Sequence, residues 1–388
     1  MKLKLQGCLS EAKPVSNIFV LSGTSGNDRG MTKLIDLMGK HGLLFYKSPL
    51  TVRNQGPAGL LACDDVIIIK INCQWDERGG TNTDLLKALI QAIVQHPDHF
   101  SGEIIVADNG QARYGVTRVG GSLNYSKNNA ENISHSVQNV VDSFRGPHHI
   151  SAYLWDTIAT RRVAEYNEGD VEDGYVIDVK RSPRTGMMVS YPKFKTKFGT
   201  LVSFKLGIWD PGANYYNWAR LKVINMPVLK SHRKFGVTCC VKHYMGVCSD
   251  QLTEKLGARA HFTIGKGGMG TEIASTRFPT LNTVDAIWVN ATPDGGPGTP
   301  YDVAVRTNVI AASTDPVALD YWMAKHVLIQ ASRGKDYSDM TSMDPDNQAR
   351  NSFYSFGRWL RLSMNEINEA GYQTSVDESR MNVYVVHM

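Results

Sequence analysis

Apolar positions along the chain recur with two different spacings. Short, continuous runs rich in Ile and Val alternate with stretches in which apolar residues return every three or four positions, and this alternation predicts βα units. The first unit pairs a strand from Val15 to Leu21 with a helix from Met31 to Lys40, in which Leu34, Ile35 and Met38 share one side. The clearest buried strand is Asp65 to Cys73, DVIIIKINC. A helix from Leu85 to Gln95 follows it, behind the N-cap cluster Thr81-Asn82-Thr83-Asp84, and then a strand from Gly102 to Ala107. Helices from Asn132 to Phe144 and from Thr157 to Tyr166 flank a strand at Ile150 to Leu154. Between Asp173 and Asp210 the pattern changes to short strand-like pieces broken by Pro183, Gly186, Pro192 and Gly199, as in an antiparallel insertion.

The second half resumes the earlier rhythm. A buried run from Leu221 to Leu229 feeds a basic turn, Lys230 to Lys234, and an expected short helix from Gly236 to Val247. Leu281 to Asn290 reads as helix or strand, and Val309 to Ala312 as a strand. Asp315-Pro316 then opens a helix. A helix from Ser352 to Met364 and an edge strand from Val383 to Val386 close the chain. The pattern as a whole predicts an α/β protein with a mostly parallel central sheet flanked by helices in Rossmann-like layers, and a small antiparallel β insertion. Its parts are expected at 1–170 (N-terminal α/β half), 171–215 (β-rich insertion) and 216–388 (C-terminal half on the same sheet).

Polar residues inside the apolar runs are the candidates for chemistry. Lys70 and Asn72 are two apart and point the same way from a strand. A lysine in such a run is either paired or faces a cavity. Asp108 ends the next strand, as an acid or base or simply as a turn aspartate before Asn-Gly. Lys230 and His232 sit in the basic turn, while Thr238 and Lys242 lie four apart and would share a helix face. A strand that passes through a turn into a helix places that turn at the carboxyl edge of a sheet, where open α/β folds hold ligands. Helix amides, ammonium groups and an imidazole would then converge on one anion. The alternative is a solvated basic turn in front of a core helix. Asp320, inside an apolar helix, either pairs with a site lysine or faces solvent. Cys239 and His243 are a weak pair of metal-ligand candidates, with a buried thiol beside a helix histidine as the other reading. Gly265 to Gly270 matches GxGxxG literally, but no useful helix is expected after it, so phosphate binding is not expected there.

Composition narrows the classes. With 388 residues and 42% hydrophobic content, a sizeable core is available. The net charge of +5 is mild, and without a Lys/Arg-rich run or an RNA-binding aromatic motif it suits an anionic small molecule rather than nucleic acid. None of the six cysteines forms a CxxC pair, so no zinc ribbon or iron–sulfur motif is expected. The cysteine usage points to reduced thiols in a cytoplasmic protein, or in an exported one whose signal has been removed. No apolar run reaches the ~18 residues of a spanning helix. The sequence leaves open a homodimer.

Four segments carry a family resemblance. They are Ile69-Lys70-Ile71-Asn72, Gly80-Thr81-Asn82-Thr83, the long motif Asn225 to His232 running on to Gly236 through Lys242, and Ala311 to Asp320. With these, and with the segment Leu281 to Pro297, the chain resembles the family catalogued as domain of unknown function 362. Many relatives carry a ferredoxin-like iron–sulfur module, which is lacking here. The family pattern has Lys-Asn in the central helix, whereas Lys242 is followed here by His243.

Three functional readings follow. In the first, an enzyme acts on a carboxylate or phosphate: Lys70, Lys230 and Lys242 bind and polarise it, and Asn72 and Thr238 add contacts. His232 is then the general acid or base, oriented by Asp320 or Asp108. Elimination, isomerisation or group transfer would suit such a set, and a redox role stays open. The second reading is a metal enzyme using Cys, His and Asp ligands. The third is a protein that captures an anion or a peptide terminus without turnover.

Overall fold

In the computed structural model, residues 16–112, 120–133, 135–144, 146–349 and 355–388 are described. The N-terminal βα units form as β1 (Ser16–Ser22), α1 (Gly30–Lys40), β2 (Val66–Lys70), α2 (Thr83–Val94), β3 (Glu103–Asp108), α3 (Val137–Asp142) and β4 (His149–Leu154). Strands β2, β3 and β4 pair in parallel, with Lys70 opposite Ala107 and Asp108 opposite Leu154. The other strands of the main sheet are β5 (Leu221–Asn225), β6 (Val228–His232), β7 (Gly236–Thr238), β8 (Leu281–Asn290), β9 (Val305–Ser313) and β10 (Met381–His387). The order across the sheet is β10-β1-β9-β8-β5-β2-β3-β4, with β6 joined to β8 and β7 to β6. Most neighbours are parallel; β9 runs antiparallel to β1 and β8, and β7 antiparallel to β6. The expected mostly parallel α/β sheet is thus present, and its expected C-terminal edge strand is β10, parallel to β1.

The Ile run of β2 is apolar at every position because both faces of the sheet are covered. Ile67 and Ile69 pack with Leu86 and Leu89 of α2 on one face; Val66 and Ile68 join the core that holds Trp155, Phe204 and Tyr244 on the other. Cutting one of these isoleucines to alanine would cost on the order of 2–5 kcal/mol.

A separate five-stranded sheet forms from Gly174–Ile177, Ser190–Lys195, Leu201–Ser203, Gly207–Asp210 and Tyr215–Asn217, each antiparallel to the next. Its basic cluster is not uniformly solvated. Lys193 is fully buried, with its ammonium against Asp170 and over the Tyr166 ring.

Three expected elements differ. The helix from Thr157 to Tyr166 is absent; two short 3-10 turns, Trp155–Thr157 and Tyr166–Glu168, bracket irregular chain there. A helix of eight residues, Gly268–Ser275, begins within the GxGxxG stretch. The Gly236–Val247 segment is not one helix: β7 comes first, then α4 (Cys240–His243) and a single 3-10 turn. Gly236 sets this course, because its φ of +73° closes the β6–β7 hairpin in a conformation that side chains disfavour. Lys230 and His232 accordingly lie in a strand rather than in a turn. The start of the expected C-terminal helix, residues 352–354, lies outside the described residues; a helix follows at Phe356–Glu369.

Candidate functional site

The carboxyl ends of β2, β3 and β5 lie side by side, with Asn225 opposite Lys70. At Met226-Pro227 the chain leaves β5 and continues as β6, which takes over the pairing with β8. This step carries β6 beyond the edge of the neighbouring strands. In the β6–β7 ribbon Lys230 faces Thr238 and His232 faces Gly236. Lys230, His232 and Thr238 therefore share one side of the ribbon, by the two-residue period of strands.

That side looks into a cavity of about 400 Å³ whose walls include Lys70, Asn72, Asp108, Lys230, His232, Thr238, Lys242 and His243. Seven residues nominated from sequence for substrate binding or catalysis thus meet in one hollow. Asp320 is not among its walls. Its carboxylate oxygens accept the amides of Cys240 at 2.6 Å and Val241 at 3.0 Å. Asp320 therefore caps α4 from behind, instead of orienting His232, and it consumes the helix amides that were expected to receive an anion.

Lys70 is paired as its position requires. Its ammonium meets Asp108 at 2.7 Å and the Ile71 carbonyl at 3.1 Å. The second oxygen of Asp108 accepts the Cys73 amide at 2.8 Å. Gly246 crosses directly over this pair, and a side chain there would overlap both charged groups. Asn72 acts as a tie between elements: its side-chain oxygen accepts the Val228 amide at 2.8 Å, fixing β6 to the end of β2.

Lys230 is buried and donates to the Gly79 carbonyl. Burial first, and then the neighbouring Lys242, push its ammonium down to about 7. Lys242 is likewise pushed down to about 7, by burial and then by Lys70. Among the described residues its ammonium has no hydrogen-bond partner; it lies 5.5 Å from the centre of the Phe235 ring. The Thr238 hydroxyl, also buried, has no partner among them either. Burial, followed by Lys242, His261 and Lys230, holds the His232 imidazole well below its ordinary value. Its Nδ1 accepts the Lys234 amide at 3.2 Å. In the neutral ring the proton then resides on Nε2.

Residues that the pattern analysis did not nominate complete the walls. Arg259 and His261 come from the start of a 3-10 helix, Ala260–Lys266, whose anchor is Asp250, at 2.8 Å from Arg259 and 2.9 Å from His261. Trp75, Phe235 and Phe262 form the apolar part, and Phe262 is 65% exposed at the mouth. Only the alternation of charge and aromatic residues in Arg259-Ala260-His261-Phe262 hints at this segment in the sequence.

The metal candidates separate. Both ring nitrogens of His243 are engaged, Nδ1 with Asn225 at 2.7 Å and Nε2 with the Ile71 carbonyl at 2.8 Å. The imidazole thus has no nitrogen to share with Cys239. Cys239 instead lies near Cys240 and Asp320 in a buried group of three that could hold an ion, but the Asp320 oxygens are already committed to amides.

An open α/β sheet with a cavity at the carboxyl ends of parallel strands is the class of protein that this arrangement defines. Residues 221–325 match the family model described as Domain of unknown function (DUF362), and the chain carries that family's segment there. The match takes in β5, the β6–β7 hairpin, Lys242 and Asp320; Lys70 and Asn72 lie outside it. No curated protein and no solved structure matches the chain. No helix among the described residues is long and apolar enough to cross a membrane.

Proposed function

We propose that the cavity binds a small carboxylate or phosphate and performs acid–base chemistry on it. The observation that carries this reading is the charge balance of the walls. Lys70, Lys230 and Lys242 converge where, among the described residues, a single carboxylate, Asp108, lines the cavity, and that carboxylate is matched to Lys70 alone. An anion would supply the missing counter-charge and give partners to the Lys242 ammonium and the Thr238 hydroxyl.

The roles differ from those expected of a free histidine. Held neutral, with Nδ1 occupied by an amide, His232 presents Nε2–H as a hydrogen-bond donor. Lys230 and Lys242, both near 7, are the groups able to exchange a proton at neutral pH. Lys70, locked to Asp108, contributes fixed positive charge.

The test is hydrogen exchange. Small 2-oxo, 2-hydroxy and phosphorylated acids incubated with the protein in D2O are followed by proton NMR. Exchange or conversion of one of them, lost in Lys230→Gln and Lys242→Gln, supports the reading. Saturable binding without exchange or conversion of any of them would instead make the protein an anion-capture module.

A further inference from the structure

We propose that Lys242 is a nucleophile that forms an imine with the carbonyl carbon of a small oxo acid, so that the substrate class of this cavity is a 2-oxo carboxylate. The inference rests on the anion-binding reading of the same cavity. It begins from a difference among the three lysines. Lys70 is bonded to Asp108 and to the Ile71 carbonyl, and Lys230 to the Gly79 carbonyl. Lys242 is buried too, though at 7% exposed it opens further into the cavity than Lys70 and Lys230 at 1% each, and its nitrogen has no hydrogen-bond partner among the described residues.

A buried ammonium without a partner is costly, whereas a neutral amine is tolerated. Burial and Lys70 act in that direction, bringing Lys242 down to about 7. Its lone pair is therefore available near neutrality, which is the condition for carbonyl attack by a lysine in an apolar site beside another cation.

The surrounding groups suit a 2-oxo carboxylate. Thr238, directly across the hairpin from Lys230, offers a hydroxyl unpartnered among the described residues. With the Lys230 ammonium it can hold the carboxylate, while His232 Nε2–H faces the same cavity as a donor for the carbonyl oxygen. Phe235 and Phe262 leave room on the outer side for a carbon tail.

The step balances without any redox partner. The Lys242 lone pair attacks the carbonyl carbon and forms the C–N bond; the C=O π electrons pass to oxygen, which takes a proton from the Lys230 ammonium. Lys230 then recovers a proton from the new C–N nitrogen and passes it to the hydroxyl. Water leaves as the nitrogen lone pair closes the C=N bond. The products are an iminium ion and water, and Lys230 is left neutral.

The experiment uses the full chain with pyruvate as probe, sodium cyanoborohydride as trap, and mass mapping of peptides. Expected is one reduced adduct, on Lys242, formed roughly 100-fold faster than on any exposed lysine. It should be suppressed by inorganic phosphate and missing in Lys242→Arg. No adduct, or label spread evenly over exposed lysines, overturns the proposal; because the wild-type map decides this, a poorly folding variant does not blunt the test. Calorimetry with pyruvate separates the two levels. Binding without an adduct refutes the nucleophile and leaves the anion site standing, whereas no binding of pyruvate or of phosphate removes both.

Discussion

The Lys70 ammonium stands 2.7 Å from the Asp108 carboxylate, and the two side chains are 1% and 3% exposed. They end adjacent parallel strands, so the pair is built by register: Lys70 lies opposite Ala107, the residue before Asp108. Breaking one side leaves an uncompensated charge in the interior. Asp108→Asn should lower the unfolding free energy by about 3–5 kcal/mol in chemical denaturation, and Lys70→Met by a similar amount. The double variant Lys70→Met/Asp108→Leu should recover part of that loss. A single variant as stable as wild type would show that the pair is not closed in solution.

Gly246 protects this pair by having no side chain. A Cβ at this position would overlap the Asp108 carboxylate and the Lys70 ammonium. Gly246→Ala should therefore cost about 1–3 kcal/mol of stability and displace the charged groups. Anion affinity should fall together with the thermal midpoint, and an unchanged affinity would contradict the close approach.

Lys230 and Lys242 give stability a characteristic pH dependence. Each is near 7 in the folded protein, against about 10.5 for an unfolded lysine. Between those values the unfolded chain binds more protons, so the two lysines make stability rise with pH from about 7 upward, by up to about 1.4 kcal/mol per unit for each. Below 7 both states are protonated and the burial penalty is fully present. Asp285, held up to about 7 by burial, makes stability fall as pH rises from about 4 to 7 and adds no slope above that, so the lysine window is left clear. The difference between wild type and Lys230→Met/Lys242→Met isolates the lysine part. Expected is a gain for the double variant that shrinks as pH rises from 7 to 9; a gain independent of pH would mean that both ammoniums are stably charged.

His232 should remain neutral across the physiological range, because burial and the neighbouring Lys242, His261 and Lys230 oppose its charging and Nδ1 already accepts the Lys234 amide. Nitrogen-15 NMR of the histidine rings should find its Nε2 protonated, with no titration between pH 6 and 8. A shift centred near 6.5 would restore the general acid–base role that the sequence suggested.

Much of this site is legible in the sequence, for identifiable reasons. Lys70 stands out because a lysine closing a run of isoleucines must find a partner, and Asp108 ends the neighbouring strand of the same kind. Lys230 and His232 were drawn to the right edge of the sheet by the strand that precedes them. What the pattern concealed is the path of the chain after Pro227. Local spacing reads Gly236 to Val247 as one helix because Val237, Val241 and Tyr244 recur at helical intervals. The positive φ of Gly236 and the pairing of β7 with β6 override that spacing. Thr238 consequently ends a strand and Lys242 lies on the single helical turn that follows, so both line the cavity without sharing a helix face. Asp320 misled for a related reason: a carboxylate inside an apolar helix looks functional, and only the tertiary fold reveals that it caps the amides of Cys240 and Val241. Arg259 and His261 escaped notice because the short 3-10 helix that brings them to the cavity carries no distinctive apolar period.

The most direct measurement is calorimetric titration of the full chain with inorganic phosphate and with small carboxylates at pH 8, in two buffers of different ionisation enthalpy. An anion entering between Lys230 and Lys242 raises both from about 7, so binding should draw protons from the buffer, and affinity should weaken as pH climbs above 7. The expected result is saturable binding with proton uptake that is reduced in Lys242→Gln. Absence of saturable binding, or binding with the same heat in both buffers and unaltered in Lys242→Gln, would contradict an anion site built on these lysines.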